Sequence, residues 1–219
     1  NISAGINLYN TLNRRQFYKD GDYSVGYPYT VRRVGGDITL GRPLGTFTRG
    51  SLTLKVENAA ITPDTDDGVV EESRNNTRSI IARTRTDTTD HLYFPTLGYR
   101  ADFTVETAGR FLGGDTEFTK FQTALSRFAK AGRNNQTWAF RVMAGYSLGT
   151  LPLQEQFAVG GADTVRGYRF GEMRGDRMVV AQAEYRFPIS TSVQGVVFAD
   201  AGNAWEQQSI DLGNLKFGY

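Results

Sequence analysis

Apolar and polar residues alternate with a period of two along most of the chain. Ile2, Ala4, Ile6 and Leu8 alternate with Ser3, Gly5, Asn7 and Tyr9, and Leu52, Leu54 and Val56 with Thr53, Lys55 and Glu57. The same rhythm runs through Ala101, Phe103 and Val105, through Trp138, Phe140, Val142 and Ala144, and through Val179, Ala181, Ala183, Tyr185 and Phe187. Successive side chains of a strand point to opposite faces, so each segment predicts a β-strand with one apolar and one polar face. The pattern predicts strands near 2–15, 29–44, 48–62, 77–89, 98–111, 117–130, 137–149, 176–188 and 194–203, and the start of a tenth near 214. No segment shows helical periodicity, and neither a solenoid repeat nor a domain linker is visible.

A soluble sandwich shares this alternation, so the character of the polar face must decide. That face carries Lys55, Glu57, Asp102, Glu106, Arg141, Glu184 and Arg186, a set suited to a wet lumen. The predicted strands, at roughly 10–14 residues, exceed the usual soluble length of about 5–6 and match a tilted membrane crossing. Tyr93, Phe94, Tyr99, Tyr146, Phe187 and Trp205 fall near strand ends, where interfacial girdle residues would stand. Short turns such as Gly113-Gly114-Asp115 and Gly132-Arg133-Asn134-Asn135 alternate with longer polar loops, notably 63–76. The expected fold is all-β, a transmembrane antiparallel β-barrel, as a single domain over 1–219.

Composition changes this picture little. Among 219 residues there are 25 Lys+Arg and 23 Asp+Glu, a net charge of +2 that gives no basic excess for a nucleic-acid partner. Mean hydropathy is −0.41 and no apolar run could form a transmembrane helix, but a barrel that alternates lipid-facing and lumen-facing residues is half polar by construction. With no cysteine there are no disulfides and no thiolate metal sites. The chain opens directly in a strand-like stretch with no signal peptide.

The most informative stretch is 150–188. It contains Gly160-Gly161, then Val165-Arg166-Gly167-Tyr168, then Gly171 and Arg174-Gly175-Asp176, and runs into a strand ending Glu184-Tyr185-Arg186-Phe187-Pro188. The glycines permit tight turns and close backbone approach. Arg166 brings a planar five-donor fork suited to carboxylates. Counting along the strands puts Glu184 on the face of Gln182 and Arg186, and Asp200 on the face of Gln194 and Phe198, both inward.

This stretch resembles the long sixth surface loop of the superfamily that contains BamA, TamA and the two-partner-secretion transporters. In that family the loop enters the lumen and presents the arginine of a Val-Arg-Gly-Tyr/Phe motif. Two further segments carry the resemblance: Asp87-Thr-Thr-Asp90 with Phe94-Pro95-Thr96-Leu97-Gly98, and Val197-Phe198-Ala199-Asp200-Ala201-Gly202-Asn203-Ala204-Trp205. Together they cover most of 77–205. The resemblance implies a lumen-directed loop at about 150–175 and nine or ten strands of a sixteen-stranded barrel. Closed bacterial barrels have even strand numbers, so strands are expected beyond one or both ends, and no POTRA module is expected within the chain. It further implies that Glu184 and Asp200, on neighbouring strands, receive Arg166 and pin the loop.

Other candidate chemistry is weaker. Arg174-Gly175-Asp176 has the form of an adhesion triplet, but the family often carries Gly-Asp at this place. His91, the sole histidine, stands beside Asp87 and Asp90 without further partners at metal spacing. Asp64, Asp66, Asp67, Glu71 and Glu72 lack the ordered spacing and turn glycine of a calcium loop. Arg14-Arg15 and Arg83 with Arg85 read as lumen or rim charges. There is no catalytic triad around His91 and no nucleotide glycine motif, so neither an enzyme nor a cofactor or metal is expected.

The resemblance implies an outer-membrane assembly factor that folds and inserts β-barrel proteins. Its partners would be unfolded barrel clients, the bilayer of the bacterial outer membrane and accessory assembly proteins. The alternatives are a two-partner-secretion transporter that exports an extended polypeptide and, with less support, a passive porin or structural anchor. The run from Arg174 into Pro188 and the Asp87–Gly98 motif are closer to the BamA branch.

Overall fold

A computed structural model describes residues 2–19, 22–66, 68–132, 136–190, 193–206 and 210–219. Among these residues nine long strands are β1 (Ser3–Lys19), β2 (Asp22–Pro43), β3 (Thr48–Pro63), β4 (Ser73–Asp87), β5 (Gly98–Ala108), β6 (Phe118–Lys130), β7 (Thr137–Gly149), β10 (Arg177–Pro188) and β11 (Gln194–Trp205). Three short ones are β8 (Phe157–Val159), β9 (Met173–Gly175) and β12 (Lys216–Gly218). All but β8 and β9 form one antiparallel ten-stranded sheet in chain order; β8 and β9 pair with each other inside the loop between β7 and β10.

The alternation in the sequence becomes rows across the sheet. Ile6, Ile38, Leu54 and Ile80 stand in register on four neighbouring strands, as do Tyr9, Gly35, Glu57 and Thr77 on the opposite face. A slip of one residue would exchange the two faces, so the pattern fixes the register. Their exposure is the reverse of a soluble sheet. Leu8, Leu54 and Phe140 are 82%, 53% and 46% exposed, whereas Glu57, Glu106 and Asp200 are 3%, 8% and 2% exposed. Only a lipid solvent outside and a polar lumen inside make that arrangement stable.

Aromatic residues mark the turn end of the outer face. Trp138 packs on Tyr185 at 4.9 Å between ring centroids, and Tyr185 lies 5.9 Å from Phe187. Tyr146, at the other end of β7, is 39% exposed, with the Arg177 guanidinium 5.1 Å from its ring. Trp205 departs from the girdle expectation: it is 6% exposed, because the backbone of β9 at Gly175 packs directly against it.

Strand bounds differ most in the first hairpin. β1 and β2 have 17 and 22 residues, running past the predicted ends at 15 and 29. At about 3.3 Å per residue β2 is ~70 Å long, far more than an apolar band of about 25 Å requires, so the distal part of the hairpin extends beyond the membrane. Its outer part lacks a lipid-facing alternation, which is why periodicity did not report it. The turn at 132–135 lies largely outside the described residues, as does Asp67.

Buried apolar residues gather at the loop end of the lumen. Met143, Phe157, Val159, Val165, Met173, Met178, Val180 and Ala204 form the largest cluster. Val180 occupies the polar face of β10 in the sequence pattern, yet it is fully buried, because the inserted loop covers it. Tyr29, Val31, Ile61 and Val70 form a second cluster, with Leu153 of the loop against it. The loop therefore touches both ends of the wall, which curves around it.

Candidate functional site in the lumen loop

The loop leaves β7 at Gly149 and rejoins the wall at β10. Leu151 is buried beside Ala108 and Phe118 of β5 and β6. After a short turn at Leu153–Glu155 the chain enters the β8–β9 hairpin, whose Phe157, Val159 and Met173 insert into the largest apolar cluster. The wall makes room for them. A Cβ at Gly145 would stand 2.5 Å from the Phe157 ring, and one at Gly202 would stand 3.0 Å from Val165.

Gly160 and Gly161 open the tip, both with positive φ, at 113° and 97°. A side chain at Gly160 would also collide with the Arg169 carbonyl, so only glycine fits. The Gly160 N–H donates to Thr164 Oγ1 at 2.8 Å and the Thr164 carbonyl accepts from Gln182 Nε2 at 2.8 Å. Val165 is fully buried and acts as the apolar anchor next to Arg166. Gly167 turns the chain at φ 92°, and Tyr168 packs back against the apolar cluster.

Arg166 engages all three of its guanidinium nitrogens. Its Nε and Nη2 donate to Asp200 Oδ2 and Oδ1, each at 2.7 Å, and its backbone N–H donates to Oδ2 at 3.1 Å. Nη1 donates to Glu184 Oε1 at 2.7 Å. The guanidinium carbon lies 3.6 Å from the centroid of the Phe198 ring. Glu184 is held from its other oxygen by Arg186, at 2.8 and 2.6 Å. The hydrogen bonds to Asp200 first, and those to Glu184, push the Arg166 proton affinity above its ordinary value, against the effect of burial. The fork, the two acids and the aromatic face make a bidentate, charge-assisted lock of the kind only arginine can complete.

A second ionic anchor lies at the foot of the loop. Glu155 is 6% exposed and sits among three cations: Arg33 Nη1 at 3.1 Å, Lys120 Nζ at 3.7 Å and Lys55 Nζ at 3.8 Å. The Glu155 carbonyl accepts from Lys120 Nζ at 2.6 Å, and the Gln154 carbonyl accepts from Arg33. Burial alone would raise the Glu155 pKa, but Lys55, Lys120 and Arg33 outweigh it and hold the carboxyl below its ordinary range. Arg33 also pairs with Glu57 at 3.2 Å, and Lys55 with Glu106 at 2.7 Å, so the foot belongs to a wider lumen network. Sequence reasoning placed Lys55, Glu57 and Glu106 in the lumen but missed Glu155, Arg33 and Lys120. A lone Glu in a loop carries no signal, since its partners are up to 122 residues away.

The remaining candidates resolve locally. Asp90 Oδ1 accepts from the backbone N–H groups of Thr96 and Leu97 at 2.8 and 3.0 Å, and Oδ2 from the Thr96 hydroxyl at 2.6 Å. These bonds hold the Asp90 carboxyl far below its ordinary range. Asp87 binds Thr89 and, at 2.9 Å, Arg100. The Asp87–Gly98 motif is thus a self-capped turn. His91 Nδ1 accepts from the N–H groups of Tyr93 and Phe94, and no three potential ligands converge on a metal position among the described residues. Asp64 pairs with Arg14 at 2.6 Å, and Asp102 with Arg83 and Arg85 at 2.6 and 3.0 Å. The structure agrees with setting the adhesion reading of 174–176 aside: Gly175 is buried against the Trp205 backbone and the Arg174 guanidinium nitrogens are buried, so the triplet is not on offer to a receptor.

Fold and site define an outer-membrane β-barrel wall with a long loop locked into its lumen. Residues 1–217 match the Omp85 superfamily domain, and the chain belongs to that superfamily. It is 26% identical to the outer membrane protein assembly factor BamA of Nitratidesulfovibrio vulgaris over an alignment of 195 residues that covers 76% of this chain and 24% of that protein. Over 64 residues, 29% of this chain and 9% of the relative, it is 38% identical to the chloroplastic outer envelope protein 80 of Arabidopsis thaliana. Two solved structures share its fold. BamA from Haemophilus ducreyi lacking POTRA domains 1–3 aligns at TM-score 0.75 and 16% identity, over 94% of this chain and 47% of that one. CdiB from Acinetobacter baumannii aligns at TM-score 0.63 and 14% identity, over 95% and 38%. The chain spans about a quarter of the BamA relative and less than half of either solved chain.

Proposed function

We propose that this chain is part of an outer-membrane assembly factor that folds and inserts β-barrel proteins, and that the Arg166–Glu184–Asp200 cluster is the lock that fixes its barrel architecture. The observation that carries the reading is the arginine clamp between loop and wall, at 2.7 Å to each acid, in a chain with sequence similarity to a BamA. A porin needs a clear lumen, and an apolar hairpin anchored by two ionic clusters works against one. The clients are unfolded outer-membrane proteins, which would add strands to an unpaired sheet edge through backbone hydrogen bonds. A locally thinned bilayer would lower the cost of insertion. No cofactor and no covalent chemistry is required, since the folding free energy of the client drives the step. Accessory assembly proteins are further partners in this reading.

The second reading, a two-partner-secretion transporter, has the structural similarity to CdiB in its favour. Depleting the full-length protein in its source bacterium separates the two. Loss of many unrelated outer-membrane barrels, restored by the unchanged gene and not by Arg166→Ala, is the expected outcome. Loss of a single secreted polypeptide with normal barrel levels would overturn the assembly reading.

A further inference from the structure

The outer face of β1 to β4 changes character toward the loop end of the wall. The row Ile6, Ile38, Leu54 and Ile80 is wholly apolar. Six residues further along each strand the row reads Leu12, Arg32, Ala60 and Arg74. Between the two lies the row Asn10, Val34, Asn58 and Asn76. All of these positions share the parity of Ile38 and Leu54, so their side chains leave the sheet on the lipid side rather than into the lumen.

An open groove of about 490 Å³ runs over this polar region, with Arg32, Val34, Asn58, Ala60, Arg74 and Asp115 in its lining. Arg32 and Arg74 are both exposed, and neither forms an ion pair among the described residues. The Arg32 Nε donates to Asn10 Oδ1 at a long 3.5 Å, and its terminal nitrogens have no partner among the described residues. Asp115 is the only acid in the lining, and it is engaged by the wall: its Oδ1 accepts from the Asn76 N–H at 2.8 Å. Neighbouring strands lie about 4.8 Å apart, so the backbones of Arg32 and Arg74, two strands apart, stand about 10 Å from each other with only the Ala60 methyl between. Two arginine side chains can close on one ligand across that gap.

The depth of the groove in the membrane follows from β2. Arg42 and Arg32 stand ten residues apart on its outer face, and Leu40, Ile38, Gly36 and Val34 lie between them. At about 3.3 Å per residue and a strand tilt of roughly 40°, this interval spans about 25 Å of height, the thickness of the apolar band. Arg32 therefore meets the headgroup layer on the side where such barrels carry their long loops.

We propose that this groove binds the phosphate of a lipid headgroup in the leaflet on the loop side. Arg32 and Arg74 hold the phosphate from either side of Ala60, and the Asn58 amide donates to it. A phosphate monoester carries about −1.5 to −2 charge near neutral pH, enough to engage two arginines. The acyl chains lie on Val34, Val56 and Leu54, which are 41%, 49% and 53% exposed and continue the groove into the apolar band. That continuity favours a lipid over a free ion, which would gain nothing from the apolar slope.

The test holds the full-length protein in non-ionic detergent micelles, titrates phosphatidic acid, and counts bound lipid by native mass spectrometry. Saturable binding is expected, weaker at high salt, and diacylglycerol with the same chains should not compete for it. Arg32→Gln and Arg74→Gln should each weaken it about fivefold, and together roughly 25-fold. Ala60→Glu should abolish it by placing an acid between the two cations. Arg42→Gln, at the opposite edge of the same face, should leave it unchanged. All four positions face outward, so the thermal midpoint without lipid should stay at the parent value in every variant. Binding that the double variant retains, or that Arg42→Gln weakens as much as Arg32→Gln, would overturn the proposal. Competition by inorganic phosphate at equal concentration would overturn the lipid assignment in favour of a free ion.

Discussion

The two ionic anchors of the lumen loop are near mirror images in charge and differ in how they are built. At the tip, one cation, Arg166, is held by two acids on adjacent strands, 18 and 34 residues away. At the foot, one acid, Glu155, is held by three cations on β2, β3 and β6, as far as 122 residues away. The tip has bidentate geometry, short distances and an aromatic floor, whereas two of the three cation distances at the foot approach 4 Å. The foot cations are also shared with Glu57 and Glu106. The tip is therefore a specific lock whose parts have no substitutes, and the foot is a diffuse charge well with redundancy.

Removing Arg166 should have the largest effect. Arg166→Ala strands Asp200, whose side chain is fully buried, and leaves Glu184 with Arg186 alone. Breaking such a pair costs about 3–5 kcal/mol, and hydrogen exchange of residues 157–175 in the full-length protein should accelerate accordingly. Arg166→Lys should recover less than half of the loss, because an ammonium cannot bridge both oxygens of Asp200 and reach Glu184. Full recovery by lysine would show the tip to be a charge well like the foot.

Glu155→Gln should cost less, about 1–2 kcal/mol, because Arg33 and Lys55 keep their other acids. Limited proteolysis should show new cleavage near 150–156 while the tip stays protected. Equal loosening of foot and tip would show that the two anchors act as one unit.

The smallest effect is expected from pH. The Glu155 pKa is depressed on folding, so its contribution is present above the ordinary carboxylate pKa, about 4.3, and is lost as pH falls through the depressed value. The Arg166 pKa is raised, so its contribution is present at every pH below the ordinary guanidinium range and fades only as pH rises through the still higher folded value. Protease protection of the loop should therefore stay flat from about pH 8 to about pH 5, with the foot loosening only in stronger acid. A midpoint between those values would contradict both assignments.

The sequence alone determined the sheet and one half of the site. Period-two alternation fixes which side chains face lipid and which face the lumen, because strand geometry is local and repetitive. That parity, with a motif resemblance, was enough to set Glu184 and Asp200 on the inner face opposite Arg166. The Asp87–Gly98 turn was legible for the same reason, as its hydrogen bonds close within a few residues. The tertiary structure decided what depends on chain segments far apart. It brought Glu155 to Arg33, Lys55 and Lys120, turned Val180 from a lumen position into core, buried Trp205, and buried the guanidinium of Arg174. None of these leaves a local trace, because each depends on where the loop lands inside the wall. Curvature of the sheet and the clearance at Gly145 and Gly202 set that landing, and residue types alone do not encode it.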